Sequence, residues 1–238
     1  MNLVENISFE ERYIALRKKE NRIYSDKEVS RLPDISQDHP HHKEWMMRKD
    51  SMKRLVTYLE KKNQPLKILE TGCGNGWLCN QLCKIKNVEV TGLDINLTEL
   101  KQAERVFKNA QRLKFMYGEN DSDVLAHEKF NVILFAASIQ YFNPLKQILN
   151  AAFKHLNETG EIHIIDTHFY KPGQLAGAKK RTQDYFTNIG FPEMIDAYFH
   201  HNIEELKEYN YRILYKPSLA NKFLKNSNPF PWICIKRN

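Results

Sequence analysis

Short apolar runs alternate with segments of helical periodicity from residue 66 to residue 169. The apolar runs predict buried strands, and the periodic segments that follow the first, second and fourth runs predict helices. Alternation of this kind is typical of a parallel sheet covered by helices. The predicted strands are Leu66–Thr71, Val88–Ile95, Leu113–Gly118, Phe130–Ser138 and Glu161–Phe169, and the predicted helices are Trp77–Lys86, Thr98–Gln111 and Pro144–Leu156.

The C-terminal part of the chain departs from this alternation. A short helix is predicted at Ile203–Glu208, with Asn202 as its N-cap, and two strands follow at Tyr211–Tyr215 and Trp232–Lys236. No helical crossover separates these two strands, and parallel neighbours need one. We therefore predict that they form an antiparallel pair at the edge of the sheet.

Two segments, Met1–Asn63 and Lys171–His201, lie outside the alternation. The first contains helical stretches near Phe9–Tyr24 and Lys43–Lys62, and the second of these carries apolar residues at helical spacing that should pack on the sheet. Insertions this long are functional or disordered in most compact domains. The second segment is rich in aromatic residues, which favours packing over disorder. We predict an N-terminal helical extension over 1–63 and a domain spanning 64–238, within which 171–201 is a cap insertion.

Three glycines follow the first strand in the stretch "LETGCGNGWL", at Gly72, Gly74 and Gly76. A strand that leads into a glycine-rich turn and then a helix is how open α/β sheets build nucleotide sites, although the same pattern also occurs as an ordinary tight turn. Asp94, at the end of the second strand, is placed to accept hydrogen bonds from ribose hydroxyls. The dinucleotide pattern GxGxxG does not fit, because Trp77 stands where that pattern has its third small residue.

The stretch "ILETGCGNG" instead resembles the first motif of the class I S-adenosylmethionine-dependent methyltransferases. "VTGLDIN" is similar to the family's second motif, "FMYGEND" to its third, and "FNVILFAASIQYF" to its fourth strand and the following loop. The resemblance implies an α/β fold with a Rossmann-like seven-stranded sheet, which is parallel except for an antiparallel terminal strand at "WICIK". It also implies S-adenosylmethionine as the cofactor.

The resemblance further implies which residues bind that cofactor. Asp94 would bind the ribose, Ile95 would lie against the adenine, and the residues after Gly118 would approach the adenine edge. The glycine loop would curl around the methionine portion, and the end of the fourth strand would face the reacting methyl group. The cofactor-binding residues expected on this basis are Glu70, Gly72, Cys73, Gly74, Gly76, Asp94, Ile95, Glu119, Asn120 and Ala136.

The catalytic group is harder to predict, because methyl transfer mainly requires alignment and the exclusion of water. His168 is a candidate base, since the ordinary pKa of histidine lies near neutrality and this residue ends the fifth strand. Tyr141 is a candidate for orienting the acceptor or the cofactor. A hydrogen-bonded strand terminus and a packing role are the respective alternatives. We also expect His168 and one of His200 or His201 to face the space that the added segments enclose.

Metal and membrane sites are not predicted. The histidines of "HPHH" and "HH" have no carboxylate or cysteine at a recognised ligand spacing, so we assign no metal ligands. The apolar stretch Val132–Ile139 is too short to span a membrane. The N-terminus lacks the apolar core of a secretory signal, and the four cysteines form no CxxC pair. A reduced, cytoplasmic protein is therefore expected.

The formal net charge of +7 raises the question of a nucleic-acid partner. The basic residues are dispersed, however, and the fourth strand is followed neither by an Asp/Asn-Pro-Pro-aromatic motif nor by a cysteine nucleophile. The sequence thus favours a methyltransferase that acts on an oxygen or nitrogen atom of a small metabolite. An RNA or protein methyltransferase, or a cofactor-binding module without transferase activity, are the alternatives. The oligomeric state is not indicated.

Overall fold

Seven strands form a single sheet in the order β3-β2-β1-β4-β5-β7-β6. The computed structural model describes residues 8–119, 123–217 and 228–237. Only β7 is antiparallel to its neighbours, so the other strands share one direction. The seven-stranded sheet and the antiparallel pair at its edge are therefore confirmed. The strands are β1 (Leu66–Thr71), β2 (Val88–Asp94), β3 (Leu113–Tyr117), β4 (Phe130–Ala136), β5 (Leu156–Ile165), β6 (Asn210–Tyr215) and β7 (Trp232–Lys236).

The helices flank the sheet on both faces. They are α1 (Phe9–Lys19), α2 (Asp26–Val29), α3 (His42–Glu60), α4 (Trp77–Leu82), α5 (Leu97–Val106), α6 (Leu145–His155) and α7 (Leu175–Ile189). The predicted helix at Ile203–Glu208 is a 3-10 helix, and the Asn202 side chain caps it by accepting a hydrogen bond from the Glu204 amide at 3.0 Å. No helix among these combines the length and the apolar character that a membrane span needs.

Strand β5 differs from its predicted bounds at both ends. It starts earlier than expected, because Leu156 pairs with Phe130 across a register shift in β4. It also ends earlier, at Ile165, because Asp166 adopts a left-handed backbone conformation with φ of 57°. A side chain in that region breaks the extended ladder. The chain therefore leaves the sheet before His168.

Apolar side chains cover both faces of the sheet, as expected for parallel strands that are buried on two sides. On one face Leu55 and Leu59 of α3 belong to the same buried cluster as Ile68. On the other face Leu149 of α6 packs with Ile133. The prediction that the second N-terminal helix packs on the sheet is thus confirmed.

A smaller apolar cluster joins the two added segments. Leu16 of α1 is 1% exposed and packs with Phe186 of α7 and with Met194 of the following 3-10 helix. Tyr185 of α7 donates a hydrogen bond to Glu20 at the end of α1 at 2.5 Å. The N-terminal helix and the segment after β5 therefore hold each other in place.

Candidate cofactor and acceptor site

The loop between β1 and α4 requires its glycines. Gly72, Gly74 and Gly76 all have positive φ, at 71°, 52° and 71°. A Cβ atom at Gly72 would lie 2.6 Å from the Ser138 side chain, and one at Gly76 would lie 2.5 Å from the ring of Phe115. Any larger residue at these two positions would clash as well as strain the backbone. The first and third glycines thus let the loop pack on its neighbours.

Trp77, the bulky residue that follows the loop, belongs to the core. It is 7% exposed, and its ring meets that of Trp45 edge-on with centroids 5.2 Å apart. This contact fixes α3 against the start of α4. The position that a dinucleotide-binding loop keeps small is therefore used here to anchor the N-terminal extension.

The carboxylate of Asp94 faces the loop from the end of β2. Its Oδ2 accepts a hydrogen bond from the Gly74 amide at 2.7 Å, and its Oδ1 accepts one from the Asn96 amide at 2.8 Å. These bonds fix the carboxylate beside the glycine loop. Each carboxylate oxygen has more than one acceptor direction, so hydroxyl donors can still be bound.

A cavity of about 440 Å³ opens at the carboxyl ends of the strands, where open α/β sheets bind their ligands. It is lined by the glycine loop, by the ends of β2 and β3, and by the segment that follows β4. The structure thus brings together residues that are far apart in the sequence. The sequence-predicted site residues that line the cavity are Gly72, Gly74, Asp94, Ile95, Glu119 and Tyr141.

Four expected cofactor residues are placed elsewhere: Glu70, Cys73, Gly76 and Ala136 are not among the lining residues. Glu70 lies behind the loop, where it accepts a hydrogen bond from the Cys79 thiol at 2.9 Å. Ala136 is the last residue of β4, and the chain turns at Ala137, with φ of 52°, so that Ala137 and Ser138 line the cavity instead. Asn120 lies outside the described residues.

The expectation that histidines face this cavity is wrong. His168, which follows the early end of β5, is exposed, and its ring lies 4.6 Å from that of Phe230. Partial desolvation, followed by the charge of Arg181, lowers its pKa. His201 is buried and its Nε2 bonds the Ile139 carbonyl at 2.9 Å, while His200 Nε2 bonds the Thr182 hydroxyl at 2.9 Å. Both therefore hold the added segment in position.

Both added segments reach the cavity. Phe9 and Tyr13 of α1 line it on one side, and Ala197 and Phe199 from the segment after β5 line it on another. The hydroxyl oxygen of Tyr141 accepts a hydrogen bond from Arg17 Nη2 at 2.6 Å. This bond joins α1 to the loop after β4 next to the cavity.

Glu99 lines the cavity and was not predicted from the sequence. Its amide is capped by the side chain of Asn96 at 3.0 Å, which starts α5 and directs this first turn toward the glycine loop. The available signal was the Asn-x-x-Glu spacing of a helix N-terminus. That spacing, however, indicates a cap and not a ligand.

The acidic groups around the loop hold their protons more tightly than usual. Burial, followed by the charge of Asp94, raises the pKa of Glu99 to about 7. Burial also raises the pKa of Glu70 to about 8, although the hydrogen bond from Cys79 acts in the opposite direction. The pKa of Asp94 is raised by burial too, against the effect of its backbone hydrogen bonds.

A second cluster of ionisable groups, Glu161, His163 and Cys234, brings its ligand atoms within 4.8 Å of one another. Hydrogen bonds account for it. Trp232 Nε1 donates to His163 Nδ1 at 3.0 Å, so His163 Nε2 carries the proton and donates to Glu161 at 3.2 Å. Burial raises the pKa of the Cys234 thiol to about 11. A protonated thiol and a fully hydrogen-bonded imidazole are poor metal ligands, and we assign them a structural role.

A family model described as a methyltransferase domain matches residues 62–217, which is more than half of the chain. The chain belongs to this family. This is the family of the class I S-adenosylmethionine-dependent methyltransferases. The geometry fits that cofactor, because the glycine loop and the Asp94 carboxylate line one cavity.

The methyltransferase has curated relatives with several acceptors. The malonyl–acyl-carrier-protein O-methyltransferase of Bacillus anthracis is 30% identical over 99 residues, which cover 41% of this chain and 36% of that protein. A ubiquinone/menaquinone biosynthesis C-methyltransferase of Wigglesworthia glossinidia brevipalpis is 26% identical over 147 residues, which cover 60% of this chain and 57% of that protein. The chain thus spans between about a third and three fifths of the length of these relatives.

Solved structures share the fold of the methyltransferase. Magnesium protoporphyrin IX methyltransferase from Synechocystis, with bound SAH (S-adenosylhomocysteine), has a TM-score of 0.62 at 13% identity, covering 94% of this chain and 95% of that protein. The plantazolicin methyltransferase, in complex with SAH, has a TM-score of 0.57 at 14% identity, and the match covers 95% of this chain and 99% of that protein. At such identities the likeness is one of fold.

Proposed function

We propose that this methyltransferase transfers the methyl group to an oxygen or nitrogen atom of a small molecule held beside Tyr141. The observation that carries the proposal is the shared lining of one cavity. Phe9 and Tyr13 come from the N-terminal segment, and Ala197 and Phe199 come from the segment after β5. Covering the cofactor site from two sides suits an enclosed metabolite better than a macromolecular surface.

The chemistry of the lining supports an uncharged or cationic acceptor with apolar or aromatic character. Phe9, Tyr13, Tyr141 and Phe199 supply aromatic surface. No lysine, arginine or histidine of the described chain lines the cavity, so an anionic acceptor would find no partner for its charge there.

Tyr141 is the residue that we assign to the acceptor, in preference to His168. The bound cofactor supplies an activated methyl group, so the protein has to align the acceptor and keep water away. The Tyr141 oxygen accepts a hydrogen bond from Arg17, which leaves its own O–H free to donate to an acceptor oxygen or nitrogen. The two added segments exclude water from the same space.

The test is a methyl-transfer assay with a panel of small molecules. Phenols, amines and quinone precursors are compared with malonyl thioesters, RNA and peptides, since the relatives include malonyl and quinone enzymes. The proposal expects turnover of an uncharged or cationic small molecule. Methylation of RNA or protein alone would overturn it, and cofactor binding without turnover of any acceptor would indicate a binding module.

A substitution then tests the assigned residue. Tyr141→Phe should lower kcat by about tenfold, the scale of one lost hydrogen bond, while cofactor affinity stays within about twofold. Tyr211→Phe, on β6, is the matched control and should keep full activity. An unchanged kcat in Tyr141→Phe would remove Tyr141 from the reaction.

A further inference from the structure

Glu99 presents a carboxylate to the cofactor cavity directly opposite the glycine loop. Its Oε2 lies 3.3 Å from the position that a Cβ atom of Gly74 would take. Asn96 Nδ2 donates a hydrogen bond to the same oxygen at 3.0 Å, which fixes the side chain in this direction. A group bound over the second glycine therefore meets Glu99.

The charge of Glu99 has no direct ionic partner in the described chain. The two arginines whose charges act on Glu99 pair with other carboxylates: Arg17 with Glu20 at 2.7 Å and Arg48 with Glu44 at 3.0 Å. Among the residues that the structure describes, the titratable side chains that line the cavity are, besides tyrosine, all acidic: Asp94, Glu99 and Glu119. The cavity is therefore complementary to a positive charge.

Three aromatic rings add to this complementarity. Phe9, Tyr13 and Tyr141 line the same cavity, and their centroids lie between 5.7 and 6.4 Å apart. The faces of aromatic rings attract cations, and they do so more strongly where water is excluded. One face of the Tyr13 ring already carries the Arg17 guanidinium, 4.7 Å from its centroid, so Phe9 and Tyr141 are the rings that offer cation-binding surface to the cofactor.

We propose that Glu99, together with these rings, recognises the sulfonium charge of S-adenosylmethionine and makes the enzyme favour it over the neutral product, SAH. With the cofactor bound, a lone pair of the acceptor would form the new bond to the methyl carbon, the S–C bond would break with its electron pair retained by the sulfur, and a proton carried by the acceptor atom would pass to solvent. The sulfur that remains is uncharged, so the attraction to Glu99 is lost and release of SAH is favoured. The inference rests on the proposed function, and it adds the residue by which the enzyme binds the cofactor more tightly than the product.

The same geometry makes the preference depend on pH. The charged groups that act on Glu99 are Asp94, Arg17, Arg48 and Glu10, and burial with Asp94 raises the pKa of Glu99 to about 7. A cation binds best to the ionised carboxylate. The preference for S-adenosylmethionine over SAH is therefore present above pH 7 and weakens as the pH falls below it.

The test measures the dissociation constants of both ligands by titration calorimetry at pH 8. Glu99→Gln keeps an oxygen for Asn96 but removes the charge, and it should bind S-adenosylmethionine about tenfold more weakly, which corresponds to about 1.4 kcal/mol. Binding of SAH should change by less than about twofold. Glu104→Gln removes the same charge from an exposed position on α5 and should change neither constant.

The outcomes separate this inference from the proposed function. An equal loss for both ligands in Glu99→Gln would overturn the inference, because Glu99 would then contact a part that the ligands share. No loss would overturn it as well. In the unsubstituted protein, the dissociation constant of SAH divided by that of S-adenosylmethionine should be smaller at pH 6 than at pH 8. A ratio that does not change with pH would contradict the inference without the use of any variant. Absence of turnover with normal cofactor discrimination would overturn the proposed function alone.

Discussion

At the scale of single residues, Asp94 is the group on which cofactor affinity should depend most. Its carboxylate is fixed beside the cavity by the amides of Gly74 and Asn96, at 2.7 and 2.8 Å. We expect Asp94→Ala to weaken S-adenosylmethionine binding by about 2–3 kcal/mol, the scale for a charged group that loses its hydrogen bonds. Titration calorimetry measures this loss.

Two further variants control for indirect effects. Asp94→Asn keeps one oxygen for a backbone amide and should fall between the wild type and Asp94→Ala. Asp184→Ala removes an exposed carboxylate that pairs with Lys180 on α7, and it should leave affinity unchanged. Unchanged binding in Asp94→Ala would mean that this carboxylate supports the loop and not the cofactor.

The residues that sequence reasoning predicted well lie at or just after the end of a predicted strand. Gly72, Gly74 and Asp94 are fixed by local geometry, since positive φ and a strand end can be inferred from a few neighbours. Phe9 reaches the same cavity from the N-terminal segment, through long-range contacts that no short pattern encodes. Glu99 was missed for a different reason, because its Asn-x-x-Glu spacing indicates a helix cap and not a ligand.

At the scale of elements, the ends of strands were the least predictable feature. His168 lies in the stretch predicted as β5, but the left-handed conformation of Asp166 ends the strand at Ile165. Hydrogen bonds from Ser51 and Asn228 hold Asp166, and these partners lie on α3 and before β7. The strand end is thus set by tertiary contacts, which propensity alone does not contain.

Glu161 connects three elements, and we expect it to stabilise the fold. It is 3% exposed and receives hydrogen bonds or ion pairs from His163, from Lys62 at the end of α3 and from Lys236 on β7, at 3.2, 2.8 and 3.0 Å. These partners hold the pKa of Glu161 below its ordinary value of 4.5 although burial opposes them. Glu161→Gln should lower the free energy of unfolding at pH 7 by about 2 kcal/mol, less than for a wholly buried pair because both lysines reach solvent.

The stabilisation that Glu161 contributes should decrease as the pH falls. A carboxyl group with a lowered folded-state pKa stabilises the fold above its unfolded value and loses that effect as the pH falls. The difference between wild type and Glu161→Gln should therefore shrink below pH 4.5, the ordinary value for glutamate. Urea unfolding of both proteins at pH 7 and pH 3.5 measures this difference in the free energy of unfolding. Glu208→Gln, from the exposed pair with Lys146, should cost less than about 0.5 kcal/mol at either pH.

At the scale of the whole molecule, the prediction from sequence was strongest for the sheet and weakest for what covers it. The alternation of apolar runs and helices predicts a parallel sheet. The rules for connections between parallel strands then leave only a few possible strand orders. The two added segments were recognised only as apolar stretches outside that pattern. Their meeting through Leu16, Phe186 and Met194 depends on a surface that forms only once both have folded.

The net charge of +7 finally bears on which acceptor the whole molecule favours. The cavity carries acidic groups and no basic lining residue in the described chain, so the basic residues act from the outer surface. We expect RNA to bind weakly and to dissociate as salt rises, with a loss of about tenfold between 50 and 200 mM salt for two phosphate contacts. Fluorescence anisotropy with labelled RNA measures this loss, and heparin should compete as well as RNA does, since only phosphate-like charge is recognised. Submicromolar binding to one RNA that persists at 200 mM salt would contradict the prediction. It would also move the acceptor from a small molecule to RNA, because such binding needs contacts to bases that dispersed surface charge does not provide.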